Sequence, residues 1–492
     1  MKRILLQLIL SVCLLPLWAQ EAVAPVKPLS ARIDALIEHK LPAGSNVGIS
    51  VYDLTAGKPL YGYQADKLSR PASTMKLLTT ITALARPEAD EPFRTEVWYR
   101  GTIERDTLQG DVYVIGGFDP EFDEEALDSL VAAVARFPFS VIKGKVYGDV
   151  SMKDSLYWGS GWLWDDTPYS FQPYLSPLML NKGVVTVTAT SGERGDSAHL
   201  ECTPVSSYYT LTNKTCSCTP SAGRFRVGRD WLVNGNNITV AGNVDARRTG
   251  TVNIFSSQDF MHTFMERLQA RGIRCIPTAG AESEAFETVV KPSAVASSYL
   301  FGEFRRDSLS VRMAFYETPV QDVVKQIMKE SDNLNAEAML CRLGVQSSGK
   351  KHVSAEDGLS AVRMLIKKLG HNPDRYNLAD GCGLSNYNYI SPELLVSFLR
   401  YAYSRTDVFR KLYKALPIGG VDGTLGFRMK KGTPSHGNVH AKTGSFTAVN
   451  CLAGYLKARN GHEIAFAVMN QNALSGREAR AFQDAVCDEV IR

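Results

Sequence analysis

Leu68-Ser69-Arg70-Pro71-Ala72-Ser73-Thr74-Met75-Lys76 is the stretch on which the reading of this chain turns. Ahead of it, residues 46–53 alternate with strand period, and Thr55-Ala56-Gly57 turns the chain into a second short strand over 59–63. Behind it, Leu77, Leu78, Ile81 and Leu84 recur at helical spacing, so the run from Ser73 to about Leu84 reads as a helix. A hairpin therefore feeds a helix whose first turn carries a serine and, three residues on, a lysine. Positions three apart share a helical face. At a helix N-terminus the serine oxygen meets free backbone N–H groups and the positive end of the dipole. A lysine held there out of water can lose its proton and act as a base, the task histidine performs elsewhere.

Ser-x-x-Lys is a common pattern. Ser140 and Lys143 match it inside a β-branched run, and Ser347 with Lys350 and Ser348 with Lys351 match it in a glycine-containing loop. Only Ser73 has the hairpin-then-helix setting. Two further motifs follow in order, Ser331-Asp332-Asn333 and Lys442-Thr443-Gly444-Ser445. In the first, a hydroxyl and a carboxamide two residues apart can face a cleft, relay a leaving-group proton and hold a substrate amide. Taken alone, the same residues read as a helix cap. In the second, a strand-end lysine supplies a fixed cation, and Gly444 lets a substrate backbone approach closely. Thr443 and Ser445 offer hydroxyls to a carboxylate. Arg248-Thr249-Gly250 is a weaker match, out of order. Dismissing the set needs three separate explanations, whereas a serine acyl-transferase without histidine accounts for all three motifs and their order. No Gly-x-Ser-x-Gly elbow competes with it.

At 492 residues the chain calls for two or three domains. Hydrophobic residues at 44% and charged residues at 22% are ordinary proportions for a soluble globular protein. The net charge of +4 is small for this length, and no basic cluster is interleaved with aromatics, which sets aside nucleic acid as a partner. Lys2 and Arg3 precede an apolar run from Ile4 to about Trp18, followed by Ala22-Val23-Ala24, so residues 1–24 read as a secretory signal. That run is shorter than the roughly 20 residues that span a bilayer. The mature chain is thus expected to be exported, periplasmic or otherwise extracytoplasmic, with no integral membrane span. Cys202, Cys216 and Cys218 cluster closely enough for one local disulfide, and the other mature cysteines read as isolated buried thiols. Neither Cys-x-x-Cys nor His-Glu-x-x-His spacing occurs, so no metal or other cofactor is expected.

Both ends of the chain supply parts of one antiparallel sheet. Residues 439–442, 450–457 and 463–469 read as strands, the last two joined through the hairpin signal Asn460-Gly461. Ala481, Phe482, Ala485, Val486 and Val490 give 477–491 helical spacing. Between the ends lies a segment with another character, rich in short β-like runs at 111–115, 140–146, 184–188 and 238–244. It reads as a β-rich insertion with a smaller piece nested in it. Helical pattern resumes over 320–329, with Thr318 as the expected N-cap and Pro319 as the first helical residue.

These features together resemble the D-alanyl-D-alanine carboxypeptidase/endopeptidases, the low-molecular-mass class C penicillin-binding proteins. The stretch from Leu68 to Lys76 is similar to the family's first box, Gly117-Phe118-Asp119-Pro120 to its Gly-Gly-Asp-Pro region, and Gly148-Asp149-Val150-Ser151 to its Asp-Thr-Ser segment. Asp380-Gly381-Cys382-Gly383-Leu384-Ser385 resembles a loop in which a serine usually stands at Cys382, and a glycine is usual at Phe118. Leu416-Pro417 through Val421-Asp422-Gly423-Thr424-Leu425 is also similar. The separation of some 255 residues between Lys76 and Ser331 resembles this branch and not typical class A β-lactamases. The resemblance implies an α+β fold, a penicillin-binding-protein/β-lactamase-like transpeptidase domain with an antiparallel sheet flanked by helices and a large β-rich insertion. Its halves would be 25–86 and 300–492, with the insertion at 87–299.

By the same resemblance, Ser73 attacks the penultimate D-alanine carbonyl of a peptidoglycan stem peptide, with Lys76 as base. The N–H groups of Ser73 and Ser445 form the oxyanion hole. Ser331 and Lys442 pass a proton to the departing D-alanine. Asn333 holds the substrate amide, Thr443, Gly444 and Ser445 bind the terminal carboxylate end, and Asp149 meets the amine of the stem peptide's diamino acid. β-Lactam antibiotics would acylate the same serine. Two rival readings stand beside this one: a β-lactamase or esterase on the same scaffold, and a catalytically silent wall-binding protein.

Overall fold

The computed structural model describes residues 28–233, 235–254, 256–276 and 299–492. The expected signal at 1–24 lies outside the described residues. At the centre of the main domain is a five-stranded antiparallel sheet in the order His440–Phe446, Val449–Lys457, Glu463–Gln471, Asn46–Asp53, Lys58–Tyr63. The two ends of the chain meet here because Ile49 pairs with Val468 and Val51 with Phe466. The middle strands are apolar on both faces, and the two-residue period sorts their side chains between two cores. Leu452, Phe466 and Val468 face Ile33 of the helix Leu29–Lys40 and Phe482 and Val486 of the helix Gly476–Ile491. Cys451, Tyr455, Ala467 and Met469 face the opposite way, into a larger core built by helices.

On that second face lies the helix Met75–Leu84, buried along its whole length. It is covered by the helices Val320–Lys329, Asn333–Ser348, Ala355–Lys368, Pro392–Ser404 and Thr406–Ala415. Val320–Lys329 shows the reason: Val320, Val323, Val324, Ile327 and Met328 make one apolar stripe that the core accepts. Its start differs from the expectation. Pro319 is the N-cap and Val320 the first helical residue, while the Thr318 hydroxyl donates to Asp119 Oδ2 (2.6 Å).

The insertion is α+β within itself. A mixed seven-stranded sheet, with Phe93–Glu104, Thr107–Ile115 and Ser310–Thr318 antiparallel, adds Val141–Lys143, Val146–Asp149, Arg274–Ile276 and Tyr299–Phe301 through parallel pairs. The helices Glu124–Val134 and Ser256–Ala270 cover it through Leu127, Leu130, Phe260 and Phe264. Because Ser310–Thr318 pairs with Phe93–Glu104, the inserted sheet reaches Thr318, well past the boundary expected at 299. The run expected at 140–146 breaks in two at Gly144, where a Cβ would lie 2.1 Å from Gly110 O. Nested inside, two three-stranded sheets formed between 184 and 253 enclose Val185, Val187, Ile238, Val240 and Val252. Cys202, Cys216 and Cys218 are free thiols, so the local disulfide open to them is not formed. Among the described residues no helix is long and apolar enough to cross a membrane.

Candidate active site

Ser73 lies in the 3-10 turn Ala72–Thr74, one turn ahead of the α-helix and not inside it. Pro71 O closes the turn by accepting from the Thr74 N–H (3.2 Å) and the Thr74 hydroxyl (2.7 Å). Ala72 has φ 46°, a costly conformation for a residue with a Cβ, which persists only where the surroundings impose it. Two glycines do so. A Cβ at Gly383, itself at φ 85°, would come within 1.9 Å of Ala72 O. A Cβ on Gly444 would lie 2.7 Å from Pro71 O, 2.8 Å from Ser73 N and 2.9 Å from Thr74 N. Gly444 was expected to admit a substrate backbone; the backbone that presses on it is the Ser73 turn.

Lys76 is fully buried. Its Nζ lies 2.6 Å from Asn333 Oδ1, 2.7 Å from Cys382 O and 3.0 Å from Ser73 Oγ. The first two partners are carbonyl oxygens that only accept. Once Lys76 gives up its third proton, the two that remain serve those carbonyls and the lone pair faces the Ser73 hydroxyl. Burial lowers the affinity of Lys76 for a proton, offset in part by Cys382, Asp380, Asp332 and Glu337. Lys442 is also fully buried; its Nζ donates to Ser331 Oγ (2.8 Å) and Thr443 O (2.7 Å). Burial, reinforced by the charge of Lys76, pushes Lys442 well below an ordinary lysine.

The second motif is both cap and cleft wall. Asp332 is the N-cap of Asn333–Ser348, its Oδ1 accepting from the Asn335 N–H (3.0 Å). That cap leaves Ser331, at φ 62°, turned toward Lys442, and Asn333 turned toward Lys76. Asn333 Nδ2 donates to Phe171 O (2.6 Å), a residue of the insertion. In the third motif Thr443 Oγ1 bonds Thr424 Oγ1 (2.7 Å), and Ser445 is exposed at the sheet edge. The cleft beside these residues encloses about 550 Å³ and is walled by Phe171, Lys182, Val184, Thr203, Ser331 and Asn333. Asp149 stands apart from this group. It is 5% exposed, with Oδ1 accepting from the Ser151 N–H (2.9 Å) and Oδ2 from the Phe304 N–H (2.8 Å). It braces a loop of the insertion, which removes it as the contact expected for a substrate amine.

Two acids stand behind Lys76: Asp380, which opens the loop already noted in the sequence, and Glu337, which no motif singles out. Glu337 Oε1 accepts from the N–H groups of Gly381 and Cys382 (both 2.8 Å), fixing the carbonyl that Lys76 addresses. Burial, with the charge of Asp380, pushes its carboxyl up to about 7. Asp380 accepts from Gly383 N (2.8 Å), Ser385 N (2.6 Å), Asn388 Nδ2 (2.7 Å) and Trp162 Nε1 (2.9 Å). The available signal was spacing, since Glu337 lies four residues after Asn333 on the same helical face. Glu337, Asp380 and Cys382 bring ligand-type atoms within 4.8 Å of one another, the one such group among the described residues. Asp380 and the Glu337 Oε1 atom are already committed to N–H donors, so the cluster holds a loop.

The chain matches the D-Ala-D-Ala carboxypeptidase 3 (S13) family over residues 29–297 and 311–490. It is 29% identical over 488 residues to the D-alanyl-D-alanine carboxypeptidase of an Actinomadura species, covering 96% of this chain and 86% of that protein. It is 26% identical over 439 residues to the D-alanyl-D-alanine carboxypeptidase DacB of Haemophilus influenzae, covering 87% and 86%. The crystal structure of penicillin binding protein 4 (dacB) from Haemophilus influenzae superposes with a TM-score of 0.77 at 22% identity, over 94% of this chain and 99% of that one. The same protein complexed with a novel β-lactam gives 0.71 at 21% identity, over 92% and 98%. With nearly the whole described chain matched and the expected α+β architecture present, the protein belongs to the D-Ala-D-Ala carboxypeptidase 3 (S13) family.

Proposed function

We propose that this protein is a serine-type D-Ala-D-Ala carboxypeptidase that also cleaves crosslinks as a DD-endopeptidase, acting on peptidoglycan stem peptides outside the cytoplasm. The observation that carries the reading is Lys76, fully buried, with its Nζ 3.0 Å from Ser73 Oγ and its two other partners, Asn333 Oδ1 and Cys382 O, both acceptors. Ser73 Oγ attacks the carbonyl carbon of the penultimate D-alanine while its proton passes to Lys76. The N–H groups of Ser73 and Ser445 stabilise the oxyanion, a term worth several kcal/mol at such sites. When the C–N bond breaks, the departing amine takes a proton through Ser331 and Lys442. Asn333 orients the substrate amide, and Thr443 with Ser445 receives the terminal carboxylate. Water then attacks the ester, returns the acyl group as a free acid and restores Ser73. A β-lactam ring opens on the same oxygen and stays there as a stable ester.

Purified protein incubated with uncrosslinked pentapeptide muropeptides and with crosslinked dimers, followed by mass analysis, tests this. The expected products are tetrapeptides plus free D-alanine from the first and monomers from the second. Intact substrates alongside rapid β-lactam turnover would favour the β-lactamase reading instead.

A further inference from the structure

The second motif is held from outside its own domain. Lys182 sits where the chain leaves the seven-stranded unit for the nested one, in three successive left-handed residues: Asn181 (φ 47°), Lys182 (φ 61°) and Gly183 (φ 67°). For asparagine and lysine that conformation is costly and signals an imposed position. From it, Lys182 Nζ reaches Asp332 Oδ2 (2.6 Å), Glu121 Oε1 (2.7 Å) and Asn335 Oδ1 (3.2 Å). Glu121 Oε1 also accepts from Asn335 Nδ2 (2.7 Å). Glu121 is itself tied down, because Asp119 Oδ1 accepts from its N–H (3.0 Å) while Asp119 Oδ2 takes the Thr318 hydroxyl (2.6 Å). A second tie runs in parallel, Asn333 Nδ2 to Phe171 O. Every one of these partners on the near side, Phe171, Lys182, Asp119 and Glu121, comes from the insertion.

We propose that the insertion completes the active site. Lys182, seated by Glu121, is a positioning residue that holds Asp332, and through it sets Ser331 and Asn333 against Lys442 and Lys76. Asp332 spends one oxygen on the helix cap and the other on Lys182. The side chains of Lys182, Glu121 and Asp332 are 31%, 22% and 19% exposed, so the network is shielded enough to hold geometry. Ser331 is left-handed and meets Lys442 Nζ at 2.8 Å, a setting that depends on Asp332 keeping both the helix cap and the Lys182 contact. Release of Asp332 lets Ser331 relax and opens the proton path without touching Ser73.

The inference rests on the proposed function, in which Ser331 and Asn333 serve acyl transfer. The test uses the full mature chain carrying Lys182→Met, Lys182→Arg or Glu121→Gln, with hydrolysis of a D-Ala-D-Ala peptide, acylation by labelled penicillin and thermal melting measured together. Lys182→Met is expected to lower kcat and acylation roughly 10- to 100-fold, since misplacement by about 1 Å costs that much, while KM stays within about threefold. Lys182→Arg, which keeps the charge and adds donors, recovers most of the rate. Glu121→Gln, of nearly unchanged shape, shows a smaller loss in the same direction and decides the matter if Lys182→Met does not fold. Wild-type turnover in Lys182→Met, or arginine no better than methionine in variants of equal melting temperature, overturns the clamp. A wild-type protein that never acylates overturns the proposed function and the clamp together, so the two failures are distinguishable.

Discussion

Gly444 packs directly against the turn that carries Ser73. Its missing Cβ is the reason the edge strand can lie against Pro71, Ser73 and Thr74, all backbone, with no flexible side chain to yield. Gly444→Ala is therefore expected to destabilise the fold by about 1–3 kcal/mol through overpacking. It should also slow penicillin acylation more than tenfold, by pushing the Ser73 turn away from Lys76. Denaturant unfolding and acylation kinetics on the same preparation check both; an unaffected acylation rate would show that the contact is slack. Sequence located the cluster that Ser73, Lys76, Ser331, Asn333 and Lys442 form in the fold, because each motif sets particular side chains at short spacing. It was misleading for Gly444 and Asp149, where residue type was right for the motif but the neighbour that explains it is remote in the chain. It was silent on Glu337, which acts by accepting backbone N–H groups, a role no residue pattern announces.

At the scale of elements, strands and helices with a clean period were legible: Asn46–Asp53, Val320–Lys329 and Gly476–Ile491 lie where the pattern put them, to within a residue. Two helices of the insertion, Glu124–Val134 and Ser256–Ala270, depart from the β-rich expectation. One carried a readable signal, Asp123 as N-cap followed by Leu127, Leu130, Val131 and Val134 on one face. The parallel pairs that Arg274–Ile276 and Tyr299–Phe301 make were not legible, since nothing local specifies a partner more than a hundred residues away. The helix Ser256–Ala270 contains a further buried acid, Asp259, whose two oxygens have no hydrogen-bond partner among the described residues. Complete burial, with the charges of Glu266 and Glu124 nearby, pushes its carboxyl from 3.8 up to about 8. Between those two values the folded state binds a proton that the unfolded chain releases, so stability falls as pH rises through the window. Asp259→Asn removes that dependence. It is expected to melt several degrees above wild type near pH 9 and close to wild type near pH 5, read by thermal scans across pH. Equal shifts at both values would place the effect in packing and not in the proton.

Over the whole molecule, the insertion and the main domain divide one task. The five-stranded sheet and its helices bring Ser73, Lys76, Lys442 and Thr443 together from distant parts of the chain. The insertion presses on the second motif through Phe171, Lys182 and Glu121. The overall architecture was legible because both ends of the chain carried strand patterns and the three motifs spanned the break between them. The place where the inserted sheet ends was not, because Ser310–Thr318 resembles any other short strand until its pairing with Phe93–Glu104 is seen. The central claim is that Ser73 is the nucleophile with Lys76 as its base. It is tested most directly by incubating the protein with labelled penicillin, digesting it and mapping the adduct by mass spectrometry, alongside Ser73→Ala. One penicilloyl group is expected on the peptide containing Ser73 and none on Ser73→Ala; an adduct on another residue, or undiminished labelling of Ser73→Ala, would rule out Ser73 as the nucleophile.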